Sequence, residues 1–178
     1  MHPDLFLNPE KVIEEWDVRP GDLIADFGCG AGFFSIPLGK RVGSNGRVYA
    51  LDIRPEALEA VRAKIKLLHL FNVETSRADL ERERGSGLKS ETIDKVIIAN
   101  ILFQTENKKS IAEEANRILK PGGSVIVVEW NEEKTNAGPI LPAKVSEQEV
   151  EKIFEEAGFS LAKKIGAGTH HYCLIYKK

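Results

Sequence analysis

Residues 26–33 read DFGCGAGF. Three glycines, Gly28, Gly30 and Gly32, stand at alternate positions just behind an acid, Asp26. Glycine inside a regular element costs roughly 0.5–1 kcal/mol against alanine. Such a cluster marks a backbone that turns tightly and lets a ligand lie against it. A second acid, Asp52, closes the apolar run RVYALDI (47–53), twenty residues after Gly32. A glycine turn followed by an acid at about that spacing suits a nucleoside, because the carboxylate can accept both ribose hydroxyls. The dinucleotide form of this pattern is G-x-G-x-x-G, and here Phe33 stands where its third glycine would fall. A bulky residue there hinders a pyrophosphate. The spacing therefore disfavours a nicotinamide-dependent reductase and suits a nucleoside without phosphates.

Other reactive side chains are fewer. Glu129 and Trp130 end the run GSVIVVEW (123–130), and His170 and His171 open HHYCLIYKK (170–178). Strand alternation points neighbouring residues to opposite faces. One histidine can then face a pocket while the other faces solvent, although both also read simply as surface residues of a hairpin. Glu129, His170 and His171 are the candidates for a general base, and none is assigned. Trp130 can stack on an acceptor or cap the core. Cys29, between glycines, reads as a small packing residue. A metal site from His170, His171 and Cys173 is disfavoured by the same alternation. Arg62, Lys64 and Lys66 read as a solvated helix face.

These residues need elements to hold them. Apolar runs at 22–28, 47–53, 93–100 and 123–130, with a weaker one at 72–79, read as strands. Strands apolar on both faces imply a parallel sheet covered by helices. Helical periodicity fills the gaps at 9–17, 31–42, 55–69, 106–119 and 147–157. Pro9 and Pro55 suit first turns, Ser146 and Glu149 form a capping box, and KPGG (120–123) stops the fourth of the main helices. Residues 159–166 and 170–178 read as a closing hairpin. The fold expected is α/β, a Rossmann-like, mostly parallel seven-stranded sheet with an antiparallel last strand and helices on both faces. The chain reads as a single domain, 1–178, with a short N-terminal cap at 1–20.

Composition narrows the class. The 178 residues are 42% hydrophobic and 29% charged, with formal charge −2 and two cysteines. No apolar run approaches the ~20 residues that span a bilayer, and two distant cysteines make no disulfide framework. A cytoplasmic location and a small-molecule partner fit best, and the charge gives no reason to expect nucleic acid.

In order along the chain, IADFGCGAGFFSIPL, VYALDIRPEAL, SRADL, IDKVIIANILF and RILKPGGSVIVVEW resemble the successive motifs of the class I S-adenosylmethionine-dependent methyltransferases, most like the small ubiquinone/menaquinone-methyltransferase group. The resemblance runs from about residue 9 to the end. It implies S-adenosyl-L-methionine as cofactor and S-adenosyl-L-homocysteine as product. Asp26 would hold the glycine loop and help bind the amino-acid end. Gly28, Cys29 and Gly30 would contact the methionine and ribose portions. Asp52 would accept the ribose hydroxyls, and Ile53 would cover one adenine face. Ala78 and Asp79 would meet the adenine edge by main-chain amide and carboxylate. Asn100 would lie near the amino-acid end and the transferable methyl, with Ile101 lining the pocket beside it. Runs such as DPPY or NPPY, which mark many enzymes methylating nucleic-acid amines, are absent from ANILFQ (99–104).

The acceptor is left open among arsenicals, quinone precursors, small phenols and amines. An RNA or protein methyltransferase, or a non-catalytic cofactor-binding partner subunit, is the alternative. The pocket is expected to be open, lidded by residues 1–8, with Leu5 and Phe6, and by the 131–145 loop, or completed by a second copy in a homodimer.

Overall fold

The computed structural model describes residues 7–131 and 144–178. The expected lid residues Leu5 and Phe6, and most of the 131–145 loop, lie outside the described residues.

Helix α1 (Pro9–Glu14) begins as the sequence predicts. Asn8 caps it by accepting from the amides of Glu10 and Lys11, and Pro9 occupies the first position. Strand β1 (Leu23–Phe27) follows, buried along nearly its whole length. Then come α2 (Ser35–Val42), β2 (Arg47–Asp52), α3 (Pro55–Leu68), β3 (Val73–Arg77) and β4 (Ile93–Ala99). A 3₁₀ turn at Leu102–Gln104 leads to α4 (Lys108–Ile118), β5 (Leu119–Trp130), α5 (Glu147–Glu156), β6 (Ser160–Gly166) and β7 (His171–Lys177).

The strands form one seven-stranded sheet in the order β3-β2-β1-β4-β5-β7-β6. The first five are mutually parallel, and β7 runs antiparallel between β5 and β6. The β6–β7 hairpin is thus the expected one, but the antiparallel strand is interior and β6 forms the edge. Alternation along the central strands divides the core in two. Ala25, Phe27, Ile98 and Val127 face Ile111 and Ala115 of α4 and Val150 and Phe154 of α5. Ile24, Ile97, Ile126 and Val128 face Val12 of α1 and Trp16 just after it, Phe34 just before α2 and Leu38 within it, and Leu58 of α3. Each fully buried aliphatic or aromatic side chain of this kind contributes about 1.5–3 kcal/mol.

Two boundaries differ most from expectation, while α1 also ends three residues early, at Glu14. Residues 31–34 are turn rather than helix, because the glycine bend consumes them before α2 begins at Ser35. KPGG does not separate helix from strand. α4 passes directly into β5 at Leu119, and residues 120–123 form an irregularity within the strand. The pairing jumps from Ile93↔Leu119 to Lys95↔Ser124, with Gly122 at φ +76°.

Candidate active site

The carboxyl ends of β2, β1, β4 and β5 lie side by side along one edge of the sheet. In an open α/β sheet this edge, where the strand order reverses, is where ligands bind. Because β7 is antiparallel, its first residue, His171, reaches the same edge. A cavity of about 640 Å³ runs along it, from Asp52 and Ile53 past Gly28 to Asn100, Trp130 and His171.

The glycine bend is held by its neighbours. Gly28, Gly30 and Gly32 have φ of +69°, +52° and +81°, the left-handed region that costs other residues 1–2 kcal/mol. A Cβ on Gly28 would stand 2.4 Å from Cγ2 of Ile101, so glycine is required there for closeness as well as for φ. The Cys29 amide donates to the Leu51 carbonyl at 2.9 Å, tying the bend to β2.

Two carboxylates underlie the bend. Asp26 is buried, and Ser35 at the start of α2 donates its hydroxyl to Asp26 Oδ2 at 2.5 Å. Burial above all, reinforced by the charge of Asp52, pushes the Asp26 carboxyl up to about 6, with the Ser35 hydrogen bond opposing. Asp52 is differently placed. Burial pushes it up too, but hydrogen bonds from the Arg54 side chain and from the Arg54 and Gly30 amides outweigh this, leaving it below the ordinary carboxylate range. Gly30 N donates to Asp52 Oδ2 at 2.9 Å and Arg54 N to Oδ1 at 3.0 Å.

Beyond Asp52, Ile53 exposes half of its surface toward the cavity. Ala78 and Asp79 line the same end. The Ala78 amide is engaged, donating to the Asp52 carbonyl at 3.1 Å. The expected amide contact from Ala78 to an adenine edge is therefore corrected: what the chain presents there is the Asp79 carboxylate, whose Oδ1 accepts the Glu81 amide at 3.3 Å and whose Oδ2 pairs with Arg82 Nε at 2.8 Å.

At the end of β4, Asn100 has φ +55°, a conformation asparagine tolerates. Its amide donates to the Val128 carbonyl at 2.8 Å. Its side-chain Oδ1 is buried and has no hydrogen-bond partner, which leaves an acceptor facing the cavity. Ile101 lines the cavity and packs against Gly28.

The candidate bases separate. Glu129 does not line the cavity: it is fully buried, and its Oε1 accepts the Leu102 amide at 2.7 Å, holding the 3₁₀ turn that follows Asn100. Burial pushes its carboxyl up to about 7 against the hydrogen bonds of the turn. A base role for Glu129 is therefore corrected to that of a support. His170 is absent from the cavity lining. His171 is buried in the cavity wall, not on the surface, and stacks against Trp130 with ring centroids 4.1 Å apart. Cys29 lines the cavity, but burial, with Asp26 and Asp52 adding to it, drives its thiol far up, so it is no thiolate. Among the described residues no three His, Cys, Asp or Glu side chains cluster as metal ligands.

Several lining residues escaped the sequence reading. Arg54, Leu80, Gln104 and Thr105 all face the cavity, as does Leu7, which the expected lid of residues 1–8 already included. Arg54 and Leu80 stand inside recognised motifs and Gln104 just past one, and that placement is the signal that could have found them.

Fold and sequence together place the chain among the methyltransferase domains. Residues 19–158 match the family model described as a methyltransferase domain, and the chain belongs to that family. A solved SAM-dependent methyltransferase from Aquifex aeolicus is 30% identical, covers 98% of this chain and 90% of its own, and superposes with a TM-score of 0.89. The demethylmenaquinone methyltransferase of Lactococcus lactis is 31% identical over 89% of this chain. The ubiquinone/menaquinone biosynthesis C-methyltransferase of Hydrogenovibrio crunogenus is 28% identical over 86% of it. The matches take in only 60% and 55% of those two relatives. Among the described residues no helix is long and apolar enough to cross a membrane.

Proposed function

We propose that this chain transfers the methyl group of S-adenosylmethionine to a small, flat acceptor of the hydroquinone type. The observation that carries the reading is the single cavity joining Asp52 and the glycine bend to Trp130 and His171. Its volume is within the usual range for a small-molecule site. The named relatives at about 30% identity support a quinol-like ring as the acceptor.

The residues fit the cofactor. Gly28 and Gly30 offer bare main chain, Asp52 a carboxylate for ribose hydroxyls, Ile53 an apolar cover for adenine, and Asp79 an acceptor for its amino group. The orphaned Asn100 Oδ1 suits the ammonium of the amino-acid end. Asp26 sets a negative charge beneath the positive portion. When bound, S-adenosylmethionine supplies a methyl on a sulfur cation, a good leaving group. The chain's own work is to hold the acceptor in line with that methyl, which can supply about 7–11 kcal/mol. It must also keep water out of the contact, and the apolar wall of Ile101 and Trp130 serves that end.

The test is direct. Calorimetry should show S-adenosylmethionine and S-adenosylhomocysteine binding to the purified chain, and mass spectrometry should find methyl transferred to reduced naphthoquinones. Failure of both cofactor forms to bind at millimolar concentration would overturn the reading. Transfer to RNA or protein alone would replace the acceptor class. Cofactor binding without transfer to any acceptor would favour a non-catalytic partner subunit.

A further inference from the structure

The two rings at the far end of the cavity stand at the ends of adjacent strands. Trp130 closes β5, His171 opens β7, and the antiparallel register pairs them directly. Three strand spacings, roughly 14 Å, separate the strand of Trp130 from that of Asp52, so this end lies well clear of the adenosine end. His171 is only 7% exposed, and neither Nδ1 nor Nε2 has a hydrogen-bond partner. Buried polar atoms are nearly always paired, and leaving one unpaired costs about 1–3 kcal/mol. Two such atoms on one side chain, in the wall of a cavity, mark a place where a ligand supplies the partner.

We propose that His171 is a catalytic residue. It accepts the hydrogen bond of a hydroxyl on an aromatic acceptor seated near Trp130, and it receives that proton as the methyl is transferred. The proposal rests on the methyltransferase reading above and adds to it the acceptor's chemistry and the residue that handles its proton.

The surroundings suit this role. Burial first, then the neighbouring charges of His170 and Lys144, hold the imidazole down to about 4, so at neutral pH it has one nitrogen open to accept. Lys144, from the segment before α5, donates its ammonium to the Asn131 carbonyl at 3.1 Å. On β5 the charged neighbour is Glu129, whose Oε1 accepts the Leu102 amide while its buried Oε2 has no hydrogen-bond partner. A neutral phenol meets Ile101, Ile111 and an indole, which match its ring. In the step itself the acceptor's O–H bond breaks and its proton goes to His171. The electron pair released makes the new bond to methyl, at oxygen or through the ring at carbon, as the S–CH3 bond breaks and its pair stays on sulfur. One positive charge disappears from sulfur as one appears on imidazole, so the buried site keeps its net charge.

The experiment compares the wild type with His171→Phe, which keeps a ring for stacking, and His171→Gln, which keeps a donor and an acceptor. Calorimetry measures S-adenosylhomocysteine alone and then 1-naphthol added to the loaded protein. Cofactor-product affinity is expected to stay within about threefold in all three proteins. Naphthol affinity should fall by roughly tenfold or more in His171→Phe and be largely restored in His171→Gln. Methyl transfer to 1-naphthol should fall by about a hundredfold or more in both variants. Equal naphthol affinity in wild type and His171→Phe, or no naphthol binding to the loaded wild type, would overturn the proposal. Wild-type transfer rates in His171→Gln would overturn the proton-accepting role. Failure of S-adenosylhomocysteine to bind the wild type would instead strike the cofactor reading, so the two failures are distinct.

Discussion

The amide of Gly30 donates to the carboxylate of Asp52 at 2.9 Å, so the glycine bend after β1 and the acid ending β2 are one hydrogen-bonded unit. Arg54 closes the unit from the other side, with Nε 3.2 Å from Asp52 Oδ1. The carboxylate is therefore ionised and oriented before any ligand arrives.

Replacing Asp52 by alanine should remove both the ribose contact and the anchor of Gly30. The expected loss of S-adenosylhomocysteine affinity is roughly 1.5–3 kcal/mol, the range for a hydrogen bond to a charged group. Titration calorimetry reads it as a rise in Kd of about ten- to a hundredfold or somewhat more. Unchanged affinity would take Asp52 out of the site.

Asp26 should make binding of the cationic cofactor depend on pH. Its carboxyl, held up near 6 chiefly by burial, is neutral in acid and charged at neutral pH. A ligand carrying positive charge favours the charged form. S-adenosylmethionine should bind more tightly as pH rises from 5 to 7, by at most about tenfold per pH unit. S-adenosylhomocysteine, lacking the sulfonium, should respond less. Asp26→Asn should flatten the dependence, and calorimetry at three pH values is enough to see whether it does.

Gly28→Ala should damage stability and site together. The new Cβ would press on Ile101 Cγ2 at 2.4 Å, and φ +69° strains any side chain. Overpacking of this kind costs roughly 1–3 kcal/mol, which in a chain of this size lowers Tm by about 2–12 °C. Cofactor affinity should drop as Ile101 and Asn100 are displaced. A variant as stable and as tightly bound as the wild type would show that the bend can open freely.

Glu129 should impose a pH slope on stability. Its folded value, pushed up to about 7 by burial, lies above the ordinary 4.5. A raised folded value means the contribution is complete below about pH 4.5 and is lost as pH climbs through 7. The wild type should thus lose up to about 3 kcal/mol relative to Glu129→Gln between pH 5 and pH 8. The Asp26 slope has the same sign but is common to both proteins. Urea unfolding at those pH values compares them, and parallel curves would place the carboxylate in contact with water.

Much of this was readable beforehand because it is local. A left-handed bend needs glycine, so DFGCGAGF announced its own geometry. A carboxylate at the end of an apolar run is a strand-end acid, so Asp52 was found. The weak signal at 72–79 also has a local cause: β3 is an edge strand with only Val73 buried, so its pattern is mostly polar. KPGG misled because its residues look like a helix stop, whereas pairing with β4 draws Leu119 straight into β5. The Ala78 amide was misread for the same kind of reason, since its partner is the Asp52 carbonyl on the neighbouring strand.

By itself, then, the sequence determined the glycine bend, the acid beside it, the order of strands and helices and the class of ligand, since each depends on backbone freedom or periodicity within a few residues. Only the tertiary structure decided that Glu129 turns to the Leu102 amide and that His171 stands buried beside Trp130. Those outcomes depend on β7 running antiparallel between β5 and β6, a choice made by pairing across more than forty residues of chain, which no short stretch of residues encodes.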